Sequence, residues 1–236
     1  MYLTSVLGDI EIKYNLKQSI ILITIYMALN LTEFYRKTVH NNDNMIAGWA
    51  TYYYGVLSKV INDNKFKKIA EVGIGYGTHA KQLLKTTELD TLYLIDPMRY
   101  YPNDGFVNDI IKCNPVIPNN HFNELFDLIN NELQPWKTRW TWFRVGSLDI
   151  TNEQIADNSL DCVFVDGDHS YDAVTKDLPF WWKKIRPGGK MLGDDYWISH
   201  VKSAVDEFAL NIQIPTEFLT VENNDYKIFC FTKPDN

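Results

Sequence analysis

Two apolar runs in this chain end in carboxylates. The stretch "LDCVFVDGDHSYDAV", residues 160–174, closes its apolar part at Asp166, with Asp168, His169 and Asp172 just behind. The stretch "RPGGKMLGDDYW", residues 186–197, closes at Asp194 and Asp195. In a sheet whose strands run parallel, successive strand ends share one edge, and ligands bind there. Asp166, Asp194 and Asp195 can therefore converge. Unpaired, three close carboxylates repel and push pKa values upward. A divalent cation removes the conflict, and oxygen-only ligands with positions left open suit Mg2+. Such an ion holds a hydroxyl group and lowers its pKa.

A second group of residues points to a nucleoside. "IAEVGIGYGTHA" places Gly73, Gly75 and Gly77 after an apolar run and before a helical one. Glycines there let the chain turn sharply and let backbone approach a ligand. A dinucleotide fingerprint would have its third glycine where Thr78 stands. The acidic Glu71 just ahead of the loop suits a cationic or hydroxylated ligand better than a pyrophosphate. Asp96 ends the next apolar run, "TLYLIDP", where an acid accepts both ribose hydroxyls.

The elements that must position these residues follow from periodicity. From residue 63 onward, short apolar runs alternate with helical patterns: "KKIAEVGI", "TLYLIDP", "WFRVGS", "LDCVFVDG" and "KMLGDD" read as strands. Helices are expected at "GTHAKQLLKTTE", "HFNELFDLINNELQPW", "TNEQIA", "SYDAVTKDLPFWWKKI" and "HVKSAVDEFALN". The tail "EFLTVENNDYKIFCFTK" reads as a β-hairpin turned at "ENND". The fold class is α/β, a Rossmann-like doubly wound, mostly parallel sheet with helices on both faces and an antiparallel C-terminal hairpin. Residues 1–62 form a helical N-terminal extension, broken at "NNDN" and resuming at "MIAGWATYYYGVLSKVI". Its apolar stretches suit a pocket cover or a dimer interface. Residues 63–236 form the α/β ligand-binding domain, in which 99–140 fit the alternation least and read as an insertion over the ligand face.

Charge and composition narrow the function. The 236 residues carry a formal net charge of −7 without a Lys/Arg cluster, which disfavours nucleic acid as a partner. "SIILITIYMALNL" is too short to span a bilayer. Cys113, Cys162 and Cys230 are odd in number and far apart, so free thiols and a cytoplasmic setting are expected. Asp168 and Asp172 read as an N-cap and a first-turn charge. At least one of Trp181 and Trp182 belongs in the core. His40, His79 and His121 have no partner pattern, and His200 reads equally as a helix-start residue.

"EVGIGYG", "LYLIDP" and "VGSLD" together resemble the motifs of class I S-adenosylmethionine (SAM)-dependent methyltransferases. The resemblance spans roughly residues 65–232. It implies that SAM lies on Glu71, Gly73, Gly75 and Gly77, with Asp96 on the ribose, Ser147 near the adenine and Asp166 at the cofactor's edge. The carboxylate pattern is similar to that of the metal-dependent O-methyltransferases, which include catechol, caffeoyl-CoA and macrolide-sugar enzymes. There Asp166, Asp194 and Asp195 would hold the cation. His169 stands where several relatives carry a basic residue, which makes it a candidate base. In sugar-modifying relatives a metal-bound aspartate, here Asp166, serves instead. The phrases "DGDHSYD" and "GDDY" resemble the sugar-modifying branch most, so a sugar-containing hydroxyl acceptor is expected ahead of a catechol. An RNA ribose methyltransferase, a nicotinamide-dependent oxidoreductase and a non-catalytic SAM-fold partner are weaker readings.

Overall fold

The computed structural model describes residues 53–99, 122–220 and 226–235, and the backbone pairs 45–46 and 49–50. Seven strands form one sheet: β1 (Lys68–Val72), β2 (Thr91–Ile95), β3 (Trp140–Phe143), β4 (Leu160–Val165), β5 (Ile185–Gly193), β6 (Glu217–Thr220) and β7 (Lys227–Thr232). Their spatial order is β3-β2-β1-β4-β5-β7-β6. The first five are parallel, and the β6–β7 hairpin adds antiparallel to β5. The order reverses between β1 and β4, which makes a switch point where open α/β sheets bind ligands.

Among the described residues, five helices cover the sheet. Helices α1 (Tyr54–Asn64), α2 (Thr78–Thr86) and α3 (Phe122–Leu133) bury Leu57, Ile61, Leu83, Leu84, Leu125 and Ile129 in one core layer. Helices α4 (Tyr171–Lys184) and α5 (Ser199–Ile212) bury Leu178, Trp181, Val205 and Phe208 in the other. The strands are apolar on both faces because both faces are covered. Trp181 is fully buried and Trp182 partly so. Cys162 and Cys230 are free and buried.

Register decides where the chemistry sits. Val72 pairs with both Ile95 and Val165, Ile95 with Phe143, and Val165 with Gly193. The next residues, Gly73, Asp96, Asp166 and Asp194, therefore emerge side by side on one edge.

Several expectations shift. Met45–Ile46 pairs antiparallel with Trp49–Ala50, and helix α1 starts only at Tyr54; short apolar runs are ambiguous between strand and helix. "TNEQIA" is not a helix. Thr151 O accepts from the Gln154 and Ile155 amides, and Gln154 Oε1 accepts from the Thr151 amide at 2.8 Å, which closes one turn and does not propagate. β5 begins at Ile185, with a register shift that absorbs the Pro-Gly-Gly stretch. The α4 N-cap is Ser170, whose hydroxyl accepts from the Ala173 amide. Asp168 instead accepts from the Ser170 amide at 2.8 Å, and Asp172 is the first-turn acid. The predicted helices within 1–44, the "NNDN" break, residues 100–121, the hairpin turn, Cys113, His40 and His121 lie outside the described residues.

Candidate active site

The glycine loop leaves β1 with Gly73, Gly75 and Gly77 all at positive φ, at 84°, 51° and 71°. At Gly73 a Cβ would stand 1.9 Å from the Asp166 carbonyl oxygen, and at Gly77 one would meet the Ile129 side chain at 2.6 Å. Only glycine fits such a conformation at such approach. The loop is thus pressed against the end of β4 on one side and against α3 on the other. Tyr76 and Ile74 are buried beneath it.

Asp96 is drawn into this loop. One of its carboxylate oxygens accepts from the Ile74 amide at 2.9 Å, the other from the Met98 amide at 2.6 Å. Burial pushes the Asp96 carboxyl up, and the amides of Ile74, Met98 and Gly75 oppose that. The turn after it is fixed by Arg144, whose guanidinium donates to the carbonyls of Pro97 and Met98 at 3.3 and 3.1 Å. The Trp142 indole donates to the Asp96 carbonyl.

Ser147 starts a short 3-10 turn beyond β3. Its hydroxyl accepts from the Trp181 indole at 2.8 Å and bonds the buried Asp177. Exposed Leu148 beside it offers the edge an apolar surface. Glu71 lies buried in β1 rather than open on the loop. One of its oxygens is 3.4 Å from His79 Nδ1, while Oε2 meets no hydrogen-bond partner among the described residues. His79 is packed between Tyr54 and Phe164. It therefore has a buried partner that its local sequence does not announce.

The carboxylate cluster sits beside the loop. His169 Nε2 is 2.6 Å from Asp195 Oδ2 and 3.6 Å from Asp166 Oδ1. Ligand atoms of Asp166, His169 and Asp195 all lie within 4.8 Å of one another. Burial alone would pull the His169 imidazole down, but the two carboxylates outweigh it and push it up to about 10. Burial likewise pushes the Asp166 carboxyl up, with Asp194 and Asp195 adding to the rise against the relief given by His169. Asp195 reaches the cluster through a left-handed backbone, φ 59°, a conformation that costs about 1–2 kcal/mol away from glycine.

Asp194 does not join those three. Its Oδ1 accepts from the Asp195 amide at 2.6 Å and from the Tyr226 hydroxyl, and Tyr53 also donates to it. Tyr53 and Tyr226 stack with ring centroids 5.3 Å apart. Neither tyrosine is legible in the local sequence: Tyr53 precedes α1 and Tyr226 precedes β7. Trp197, directly after the acidic pair, is 68% exposed. Trp140 is buried, its indole bonded to the Leu133 carbonyl, and His200 is exposed at the start of α5.

Residues 70–196 match the family model described as a methyltransferase domain. The chain belongs to that family. A mimivirus protein of Acanthamoeba polyphaga mimivirus, itself uncharacterized, is 37% identical over 190 residues, which cover 76% of each chain. The structure of the O-methyltransferase NovP superposes with a TM-score of 0.57 at 14% identity, over 89% of this chain and all of that one. A Staphylococcus aureus protein described as a candidate caffeoyl-CoA O-methyltransferase superposes equally well, at 16% identity over 90% and 97% of the two chains. At these identities the likeness speaks for the fold. The protein is a class I SAM-dependent methyltransferase. Among the described residues no helix is long and apolar enough to cross a membrane.

Proposed function

We propose that this methyltransferase transfers the SAM methyl group to a hydroxyl of a small, sugar-containing acceptor with the help of a divalent cation. The observation that carries this reading is the convergence of Asp166, His169 and Asp195 beside the glycine loop. SAM would lie over Gly73, Gly75 and Gly77, its ribose at Asp96, its adenine near Ser147 and Leu148, and its methionine end toward Asp166 above the buried Glu71. The group fits a cation: its two acids, Asp166 and Asp195, are half-buried and repel each other, and a positive charge would reconcile them. Held by Asp166, His169 and Asp195, a cation would orient the acceptor hydroxyl and lower its pKa. Sequence expected Asp194 in that set, and its carboxylate stands beside the cluster on Tyr226.

The reaction balances simply. The carbon–sulfur bond of the sulfonium breaks, a carbon–oxygen bond forms, and the acceptor's proton passes to Asp166, or to His169 once a bound cation has taken over the carboxylates that hold the imidazole's own proton. The chain's own contribution is to hold the two reactants in line and to exclude water. The exposed Trp197 offers a flat face to a sugar ring beside the cluster. Residues 1–62 complete this reading as a cover or dimer contact, and the buried thiols Cys162 and Cys230 accord with a cytoplasmic setting.

The test is methyl transfer from isotopically labelled SAM to parallel sets of glycosides, catechols and short RNAs, with and without EDTA. Label in a sugar ether, lost with EDTA and restored by a divalent ion, is expected. Label in a catechol or in RNA would move the acceptor class. Transfer that ignores EDTA would end the metal reading.

A further inference from the structure

Resting on that reading, we infer that His169 is itself a ligand of the cation. The site is then a two-carboxylate, one-imidazole face that prefers a transition-metal dication such as Mn2+ to Mg2+. Two independent observations lead here. The first is where the third carboxylate went. Asp194 is held by two phenol hydroxyls, from Tyr226 and Tyr53, and by the Asp195 amide. The two phenols come from the residue before α1 and the residue before β7, so their part of the capture does not depend on the loop that carries Asp194. The second is what stands in its stead. His169 Nε2 is the atom that completes the group with Asp166 and Asp195, at 3.6 and 2.6 Å. Neighbouring ligands of a six-coordinate ion with bonds of about 2.1 Å stand about 3 Å apart, so these separations need only small adjustments.

The loop favours this placement. Asp168 accepts from the Ser170 amide and Ser170 caps α4, which fixes the chain on both sides of His169. Asp195 keeps its left-handed backbone, and that turns its carboxylate toward the imidazole. Chemistry then decides the metal. Mg2+ prefers oxygen throughout and keeps its waters, whereas imidazole suits the later divalent ions. With His169 bound, Asp166 is the residue left to receive the acceptor's proton.

The experiment measures binding without turnover. Mn2+ and Mg2+ are titrated calorimetrically into the full chain with SAM present, for the wild type, His169→Gln and His169→Asp. The Mn2+ complex is also examined by electron spin-echo envelope modulation, which detects a directly bound nitrogen. Wild type is expected to bind Mn2+ roughly tenfold or more tightly than Mg2+ and to show imidazole modulation. His169→Gln should lose the modulation and most of the preference. His169→Asp, with an all-oxygen site, should bind Mg2+ relatively better. Cation binding without nitrogen modulation in the wild type, and unchanged in both variants, would overturn the ligand assignment and leave the metal reading standing. Failure of the wild type to bind either ion would overturn both.

Discussion

Strand β4 carries an aspartate near each end, and the two are treated oppositely. Asp161, near its start, accepts from the Lys67 and Lys68 amides at 2.6 and 2.8 Å and from Arg186 Nε at 2.6 Å. Burial works against its charge, yet those donors win and hold the carboxyl below its ordinary range. Asp166, just past the other end, is pushed up by burial and further by Asp194 and Asp195, which it faces. The same residue type in the same strand is thus satisfied at one edge and left wanting at the other. The N-terminal edge is also closed off elsewhere: Arg139 donates to the carbonyls of Leu84, Thr87 and Leu89 and finishes the end of α2. One edge of the sheet secures the fold. The opposite edge gathers carboxylates whose repulsion His169 relieves only in part.

The sharpest way to break the contrast is at Asp166. Asp166→Asn should lower methyl transfer on the order of 10²–10⁴-fold, as loss of a proton acceptor does. It should also raise the melting temperature of the cation-free protein by a few degrees, because one of the mutually repelling charges is gone. A labelled-methyl assay and a thermal scan of the same sample check both; a lower melting temperature would contradict the stored repulsion.

Asp161→Asn should do the reverse. Loss of a charged acceptor that serves three donors should cost about 3 kcal/mol, or about 6–12 °C at this chain length, with little change in turnover of the folded fraction. The sign follows from the lowered pKa. The contribution is complete above the ordinary aspartate range and is lost as pH falls through the depressed value. The gap between wild type and variant in denaturant melts should therefore close in acid.

The smallest effect is expected at Asp177, buried under Ser147. Burial pushes its carboxyl up to about 6, with Ser147 opposing and Asp168 adding to the rise. A raised pKa favours the fold below the ordinary aspartate value, and that advantage is lost as pH rises through about 6. Asp177→Asn should thus stabilise the protein by about 1–3 kcal/mol at pH 7.5 and leave it unchanged near pH 4. Equal shifts at both pH values would show that packing, not charge, governs the site.

Much of this was legible because strands announce themselves. The apolar runs located β1, β2, β4 and β5, and parallel alternation put Gly73, Asp96, Asp166 and Asp194 at one edge. What escaped was direction. Asp194 and Asp195 are adjacent, and a single left-handed residue sends one carboxylate to His169 and the other to Tyr226. The captors of Asp194 come from distant segments, so no local spacing reveals them. His79 went unrecognised for the same reason: its partner, Glu71, lies across the glycine loop. The "TNEQIA" turn and the register shift at Pro187–Gly189 escaped for a different reason: periodicity over a few residues is weak evidence beside local hydrogen bonding.

The in-step register of the central strands has a consequence for how the chain can change length. Side chains alternate faces along a strand, so losing one residue from β4 would turn Asp166 to the opposite face of the sheet. The same loss in β2 or β5 would misplace Asp96 or the Asp194–Asp195 pair. Insertions and deletions in connections that carry none of these site residues escape that penalty. Variation in length among relatives is therefore expected in the connections, such as the segment between β2 and α3, while the residue count of β1, β2, β4 and β5 stays fixed.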